Sequence, residues 1–380
     1  MNNIAIIGAG PAGLATAIRL KQEGFDSIVL EEHPSIGGPE NCSGLFSQKG
    51  LDDLKIDATE CILNKIRGAK IYAPNGEMIR ITRNKPVAIL TDREKFDLML
   101  LKKARELNIH VATNTKLIDV RKNTLFVQNK NRGEIRKAEI IIGADGVNST
   151  VRHLMGIEPK KESFIHTIQS VCYGEFEKEY VSIYLGDFAK GFFAWVIPID
   201  EKKAKVGVGT LLGDNVSLNF KTFLSEKLPG VRTTKIKSFL IPYGPPLQKI
   251  VKDNMLLVGD SAFQTKATSG GGVIFGMKAG NILATTIADH FKYKTPLSEY
   301  EKRVSKINKE LKMHWKIRKY ANSLDEKTAN ELFKKLKTKK IEEFLIEHGD
   351  MDEPSQFIGK LAKKPAYWFM AKTLIDIMRS

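Results

Sequence analysis

Residues 4–20 constrain this chain more than any other stretch. Ile4-Ala5-Ile6-Ile7 is short, apolar and rich in β-branched side chains, the pattern of a parallel strand buried on both faces. Gly8-Ala9-Gly10-Pro11-Ala12-Gly13 follows at once, and Leu14 to Leu20 reads as a helix. In this context Gly8 allows a tight turn, Gly10 lets backbone N–H groups approach a pyrophosphate, and Gly13 lets the helix lie against the strand. Pro11 and Ala12 open the helix, whose free N–H groups and partial positive charge favour a diphosphate. A second strand, Ser27 to Leu30, runs into Glu31 and Glu32. Glu31 stands about twenty residues on, where a carboxylate accepts from ribose hydroxyls. The stretch predicts a dinucleotide-binding βαβ unit without saying which dinucleotide.

The chain's 380 residues suffice for two domains and a large core. Lys and Arg number 60 against 44 Asp and Glu, a net charge of +16. Such a balance favours anionic partners: phosphorylated substrates, nucleic acid or acidic lipid surfaces. No nucleic-acid motif is present, so nucleic acid ranks last. Cys42, Cys61 and Cys172 lack CxxC spacing, which argues against zinc, iron–sulfur clusters and a disulfide framework. No metal is expected. Gly259-Asp260-Ser261-Ala262-Phe263 is not a GxSxG elbow, so a hydrolase reading fails. No signal peptide opens the sequence and no apolar run reaches the length of a bilayer span. The chain reads as cytoplasmic, with a peripheral position at a membrane left open.

Further along, Glu32 to Gly50 is a loop rich in Gly, Pro and Ser, the kind that carries function. Ala69 to Ile81 reads as a hairpin turning at Asn75-Gly76. Thr91-Asp92-Arg93 opens a helix, and strand signals follow at 109–112, 115–120 and 124–128. Ala138 to Gly143 returns to the buried parallel pattern. Alternating strands dominate 167–240. Met255 to Val258 is another buried strand, and Gly270-Gly271-Gly272 leads into a helix from Val273. Ser298-x-x-Glu301 reads as a capping box, and the lysine-rich chain beyond Pro296 as helical.

Three motifs now stand in order: the Gly8–Gly13 fingerprint with Glu31; Gly143-Ala144-Asp145-Gly146-Val147-Asn148-Ser149-x-x-Arg152; and Gly259-Asp260-Ser261-Ala262. Together they resemble the FAD-binding set of the p-hydroxybenzoate-hydroxylase-like flavoproteins. The resemblance implies non-covalent FAD, with Asp260 on its ribitol or ribose region, Arg93 near the cofactor, and the helix after Gly270–Gly272 facing the pyrophosphate or flavin ring. Within that superfamily the chain is most similar to the geranylgeranyl reductases. Phe193-Ala194-Trp195-Val196-Ile197-Pro198 resembles the family's YxWxFP motif, and Pro39-Glu40-Asn41-Cys42-Ser43-Gly44 its Cys-containing loop. Phe193 replaces the motif's tyrosine and Ile197 its phenylalanine. The implied cofactor residues are Gly8, Gly10, Pro11, Ala12, Gly13, Glu31, Glu32, Cys42, Ser43, Gly44, Arg93, Ala144, Asp145, Gly146, Ser149, Gly259, Asp260, Gly270, Gly271, Gly272 and Val273. Phe193, Trp195, Ile197 and Pro198 are the implied substrate wall.

The implied fold is α/β: a Rossmann-like FAD-binding domain (1–68, 91–160 and 250–292), an inserted, mostly antiparallel substrate domain (69–90 and 161–249) and a helical C-terminal region (293–380). The implied activity is saturation of isoprenoid C=C bonds, in ether-lipid or prenyl-lipid biosynthesis. A flavin monooxygenase or halogenase of the same fold is the alternative. Saturating an isolated alkene needs a hydride on one carbon and a proton on the other. The protein must then align the substrate, exclude water and offer one proton donor. Cys42, which the family places beside the flavin, is the catalytic candidate, as donor or positioner; an isolated thiol is otherwise an apolar filler. Cys61 and Cys172 read as packing. The partners expected are an isoprenoid lipid and a reductant, either NAD(P)H or a small acidic carrier such as ferredoxin. Lys363 to Arg379 reads as an amphipathic helix with Trp368, Ala371, Leu374, Ile375 and Met378 on one face. It either lies in a lipid headgroup region or packs on the protein's own core.

Overall fold

In the computed structural model, which describes residues 4–38, 42–130, 132–364 and 371–379, the strand Ile4–Ile7 is buried throughout and sits inside a six-stranded sheet. From one edge the strands are Val251–Lys252, Met255–Leu257, Ile140–Gly143, Ile4–Ile7, Ser27–Leu30 and His110–Ala112. All pairings are parallel except that of the first strand, which folds back on the second. Burial on both faces explains why these strands read as unbroken apolar runs. A three-stranded meander, Thr115–Arg121, Thr124–Asn129 and Arg132–Lys137, separates His110–Ala112 from Ile140–Gly143.

Two helices bring their N-termini to one end of this sheet. Pro11–Gln22 has Gly10 as its N-cap residue, and Val273–Tyr293 has Gly272. They pack closely because the second helix carries glycine where it crosses the first. A Cβ at Gly280 would lie 2.5 Å from Thr16 Oγ1, and one at Gly276 3.3 Å from the Ala12 Cβ.

An eight-stranded sheet forms the second layer. Its strand Ala194–Pro198 lies between Tyr180–Tyr184 and Lys203–Leu211, antiparallel to both. Alternation divides its side chains between two cores. Ala194 and Val196 pack with Phe188, Val206, Phe220 and Phe223 under the helix Val216–Lys227. Phe193, Trp195 and Ile197 join Ile66, Leu90, Val181 and Tyr243 on the opposite side. The hairpin Gly68–Tyr72 with Met78–Thr82 forms as expected and turns at Gly76. It joins the large sheet through a parallel pairing with Tyr180–Tyr184. Ala88–Thr91, by contrast, pairs with Leu45–Ser47 and Ile62–Ile66 in a separate small sheet.

The C-terminal region is a chain of helices, the longest of them Ser305–Ser323. The expected capping box is not formed: the Ser298 side chain caps nothing. The Glu301 carboxylate instead accepts the backbone N–H groups of Ile250 and Val251 at 2.9 and 3.1 Å. Two amides at the edge of the parallel sheet are a better use for that carboxylate than its own helix end. An apolar stripe runs along this region, with Tyr300, Val304 and Leu311 fully buried. Ala371–Arg379 is helical and packs on Ser305–Ser323. Ile377 is buried, while Ile375 and Met378 are exposed. Tyr367, Trp368 and Phe369 lie outside the described residues, as do Pro39, Glu40 and Asn41. Among the described residues no helix is long and apolar enough to cross a membrane.

Candidate active site

One cavity of about 940 Å³ runs between the two layers. Its first arm is built from glycine. Gly10, Pro11, Ala12, Ala144, Gly146, Gly259, Asp260, Gly270, Gly271, Gly272 and Val273 all line it. Gly8 and Gly13 do not; they set the cradle from behind. Gly8 has φ +101, and a Cβ there would collide with the Ala144 carbonyl, while one at Gly13 would collide with the Gly8 carbonyl. Gly10 is different, since a Cβ there would meet nothing within 4 Å. Its value is the open space in front of two helix N-termini, the arrangement that holds a diphosphate.

The acidic residues divide by role. Glu31 Oε2 accepts the Ala9 N–H at 2.8 Å, and its Oε1 accepts the His33 N–H at 3.0 Å, which ties the second strand to the fingerprint turn. Glu32 is exposed and pairs with Lys116 at 3.2 Å, away from the cavity. Asp145 accepts from Ser149 Oγ at 2.6 Å and from the Val151 N–H at 3.0 Å, so it holds the turn that presents Ala144 and Gly146. Burial pushes its carboxyl up in spite of those bonds. Burial raises Asp260 likewise, opposed by Thr265 and by the charge of Arg93. Gly272 must lack a side chain, because a Cβ would lie 2.6 Å from Asp260 Oδ1.

Arg93 and Cys42 meet where the glycine arm ends. Asp92 caps the helix Arg93–Glu106 through the Lys95 N–H. This aims the Arg93 side chain inward, where its Nη2 donates to both Asp97 carboxylate oxygens at 2.8 and 3.1 Å. Burial works against this guanidinium, but the adjacent Cys42 sulfur and Asp97 hold it firmly charged. Its Nε is buried with no hydrogen-bond partner. The Gly44 N–H donates to Cys42 Sγ at 3.4 Å. Gly44 itself faces away from the cavity, against Thr91 and Arg93. The Ser43 carbonyl accepts from Lys205 Nζ at 2.8 Å. Cys61 and Cys172 are buried away from the site, the latter with its thiol pushed up to about 11 by burial.

The second arm is apolar. Phe192, Phe193, Trp195 and Ile197 line it with Ile66, Val181, Ile183 and Ile241. The neighbouring strand gives room to these rings: a Cβ at Gly207 would collide with the Trp195 indole, and one at Gly209 would lie 2.5 Å from the Phe192 ring. Trp195 Nε1 donates to Gln169 Oε1 at 3.1 Å, so the one polar atom of this wall is satisfied. Pro198 does not line the cavity; its carbonyl accepts from Asn64 Nδ2 at 2.8 Å.

Sequence reasoning did not place the C-terminal region at this site. Leu345, Gly349, Asp350 and Met351 line the cavity with Arg83, whose Nη2 donates to the Gly349 carbonyl at 2.6 Å. Lys266, also lining, lies 2.5 Å from Asp352, and Ser47 donates to the same carboxylate. His314 bonds Thr268 Oγ1 at 2.6 Å and the Asp352 carbonyl at 3.2 Å. Burial and Lys266 hold its imidazole down at about 3, so it stays neutral. Arg318 donates to the carbonyls of Ala267, Thr268 and Phe192, with its guanidinium over Phe192 and Phe193. Burial lowers it to about 10. The signal available in the sequence was the periodicity of His314 and Arg318 on the buried stripe of their helix, i and i+4.

A flavin dinucleotide fits this cavity on three counts: the open cradle at Gly10, the two helix N-termini, and the unpartnered Arg93 Nε at the junction. Residues 1–208 match the FAD binding domain family. The chain is also 30% identical to the digeranylgeranylglycerophospholipid reductase of Methanosarcina acetivorans, over 74% of this chain and 73% of that one. This chain belongs to the geranylgeranyl reductase family of FAD-dependent oxidoreductases. A second digeranylgeranylglycerophospholipid reductase, from Methanothrix thermoacetophila, is 27% identical over 89% of this chain and 92% of that one. A geranylgeranyl bacteriochlorophyll reductase-like protein from Thermoplasma acidophilum has the same fold, with a TM-score of 0.84 at 21% identity over 98% and 100% of the two chains. FAD is thus the cofactor of this family member, and its fold is the α/β arrangement expected: a parallel FAD-binding sheet, inserted antiparallel sheets and a helical C-terminal region.

Proposed function

We propose that this protein saturates isolated C=C bonds of geranylgeranyl-type chains on a lipid. The observation that carries this reading is the continuity of the cavity. A single space leads from the phosphate cradle at Gly10 to an aromatic and aliphatic wall at Phe193, Trp195 and Ile197. The digeranylgeranylglycerophospholipid reductases among its relatives support the substrate class.

When bound and reduced, FAD supplies the hydride for such a reaction. The fingerprint turn and the Val273 helix end would hold its diphosphate. Phe193, Trp195 and Ile197 would keep the isoprenoid chain extended and dry, which matters because an alkene offers no charge for a polar group to grip. The proton is assigned to Cys42, whose sulfur lines the cavity beside the guanidinium of Arg93. That neighbour also supports the alternative role, a fixed sulfur that positions the chain. The Ile375 and Met378 side chains, exposed on the terminal helix, would be the contact with a bilayer carrying the substrate.

The test is anaerobic. Protein reduced with dithionite, freed of excess reductant and mixed with a geranylgeranyl glycerophospholipid should recover the absorbance of oxidised flavin. Mass spectrometry should find one pair of hydrogens gained per bond reduced. Reoxidation only on admitting oxygen, with oxygen consumed in proportion to a hydroxylated or halogenated product, overturns the reading in favour of a monooxygenase or halogenase.

A further inference from the structure

The turn that precedes the Val273–Tyr293 helix carries a charge that a phosphate cradle does not require. Lys266 is 5% exposed, and its ammonium lies 2.5 Å from Asp352 Oδ1. Ser47 donates to the other carboxylate oxygen, and Lys266 Nζ reaches the Met351 carbonyl at 3.4 Å. Two ions taken out of water need close geometry and further hydrogen bonds, and this pair has both. Its two ends face differently. Lys266 lines the cavity beside Gly270, Gly271, Gly272 and Val273, whereas Asp352 is not among the lining residues. The lysine stem runs along Gly271, where a Cβ would come within 2.9 Å of Lys266 Cε. The turn closes on the lysine itself: the Lys266 N–H donates to the Gly271 carbonyl at 3.1 Å, and the Gly270 N–H to the Lys266 carbonyl at 2.7 Å. The pair is a fixed dipole with its positive end toward the cavity and the helix N-terminus. The other strong cation at this junction, Arg93, already has Asp97 against it within the cavity wall.

We propose that the Lys266 ammonium, held in place by Asp352 as a positioning residue, stabilises the reduced form of the bound flavin and sets its midpoint potential. Two electrons and one proton from an external reductant leave one net negative charge on the ring at neutral pH. A preorganised positive charge in a water-poor cavity favours that product. The proposal rests on FAD occupying the glycine arm and is independent of which lipid is reduced.

The test is the potential of the FAD-loaded protein, titrated anaerobically with dithionite against a reference dye. Lys266→Met should lower the ratio of reduced to oxidised flavin at a fixed potential about tenfold, a shift of about 30 mV for a two-electron couple. Lys266→Arg should keep most of the parent value. Asp352→Asn should move the potential the other way, because it removes the compensating charge from behind the ammonium. A purely structural role for the pair would lower stability in both variants without opposite shifts. An unchanged potential in flavin-replete Lys266→Met overturns the proposal. If that variant does not retain flavin, Asp352→Asn decides, and a potential at or below the parent's overturns it.

Discussion

The two arms of the cavity are built in opposite ways. The glycine arm is made from short consecutive runs: Gly8 to Gly13, Ala144 to Gly146, Gly259-Asp260 and Gly270 to Val273. Each is a turn between a buried strand and a helix, or the end of a helix, and each does its work through the backbone. The apolar arm has no such runs. Its wall needs Trp195 on one strand, Gly207 beside it on the next and Gln169 on a third, with the Arg318 guanidinium of a distant helix over Phe192 and Phe193. A backbone site is specified by what is missing from a side chain, a packed wall by what several distant side chains do together. They should therefore fail differently.

The largest effect expected is at Gly10. Because a Cβ there meets nothing, Gly10→Leu should fold with near-parent far-ultraviolet circular dichroism and yet purify without flavin and without activity. A yellow, active Gly10→Leu protein would break the distinction between cradle and scaffold. Gly13→Ala makes the contrast, since its Cβ collides with the Gly8 carbonyl and melting temperature should fall together with flavin content.

Next in size is Cys42→Ala at the junction of the arms. A lost proton donor costs about a hundredfold or more in turnover, while flavin absorbance stays at the parent level. Single-turnover reoxidation by lipid measures it, and parent-like rates across a pH series would make Cys42 a packing residue.

In the apolar arm, Gly207→Ala forces the Trp195 indole from its place against the sheet. Overpacking of this kind costs about 1–3 kcal/mol. Thermal melts should show that loss, and lipid turnover should drop several-fold, while flavin content remains full. Equal losses of flavin and turnover would mean that the arms do not separate.

The smallest effect at neutral pH is at His314, and it shows only in acid. His314 titrates in the fold at about 3, well below its ordinary 6.5, chiefly through burial. A depressed histidine contributes stability that is complete above pH 6.5 and is lost as the pH falls toward 3, because the unfolded chain takes up the proton first. His314→Gln keeps a donor and an acceptor without a titratable ring. Its denaturation midpoint should decline less steeply than the parent's between pH 6.5 and 4, and parallel declines would discount this histidine.

The same division governs what was legible in the sequence. The parallel strands, the fingerprint helix and the Val273 helix could be read because their burial is written as local apolar runs and their turns as glycine. Phe193, Trp195 and Ile197 could be named from the resemblance of their stretch to a family motif, and alternation along one strand puts the three on one face. Lys266, Ser47 and Asp352 could not be found that way. They lie far apart in the chain, Lys266 and Asp352 by 86 residues and Ser47 and Asp352 by 305, and no period links them. Ser298 and Glu301 show the converse error: a local motif was present, but edge amides at Ile250 and Val251 took the carboxylate.

The Ser47–Asp352 contact has a consequence for how the protein is made. At about 5–20 residues per second, a ribosome needs roughly 15 to 60 s to travel the 305 residues that separate the two partners. The first helix of the glycine cradle, Pro11–Gln22, is already made when that interval begins. The apolar wall at Phe192 to Ile197 emerges about midway through it and then waits for Arg318, whose guanidinium lies over Phe192 and Phe193. Over that wait the nascent chain shows water, chaperones and its own neighbours an apolar surface that is buried in the finished protein.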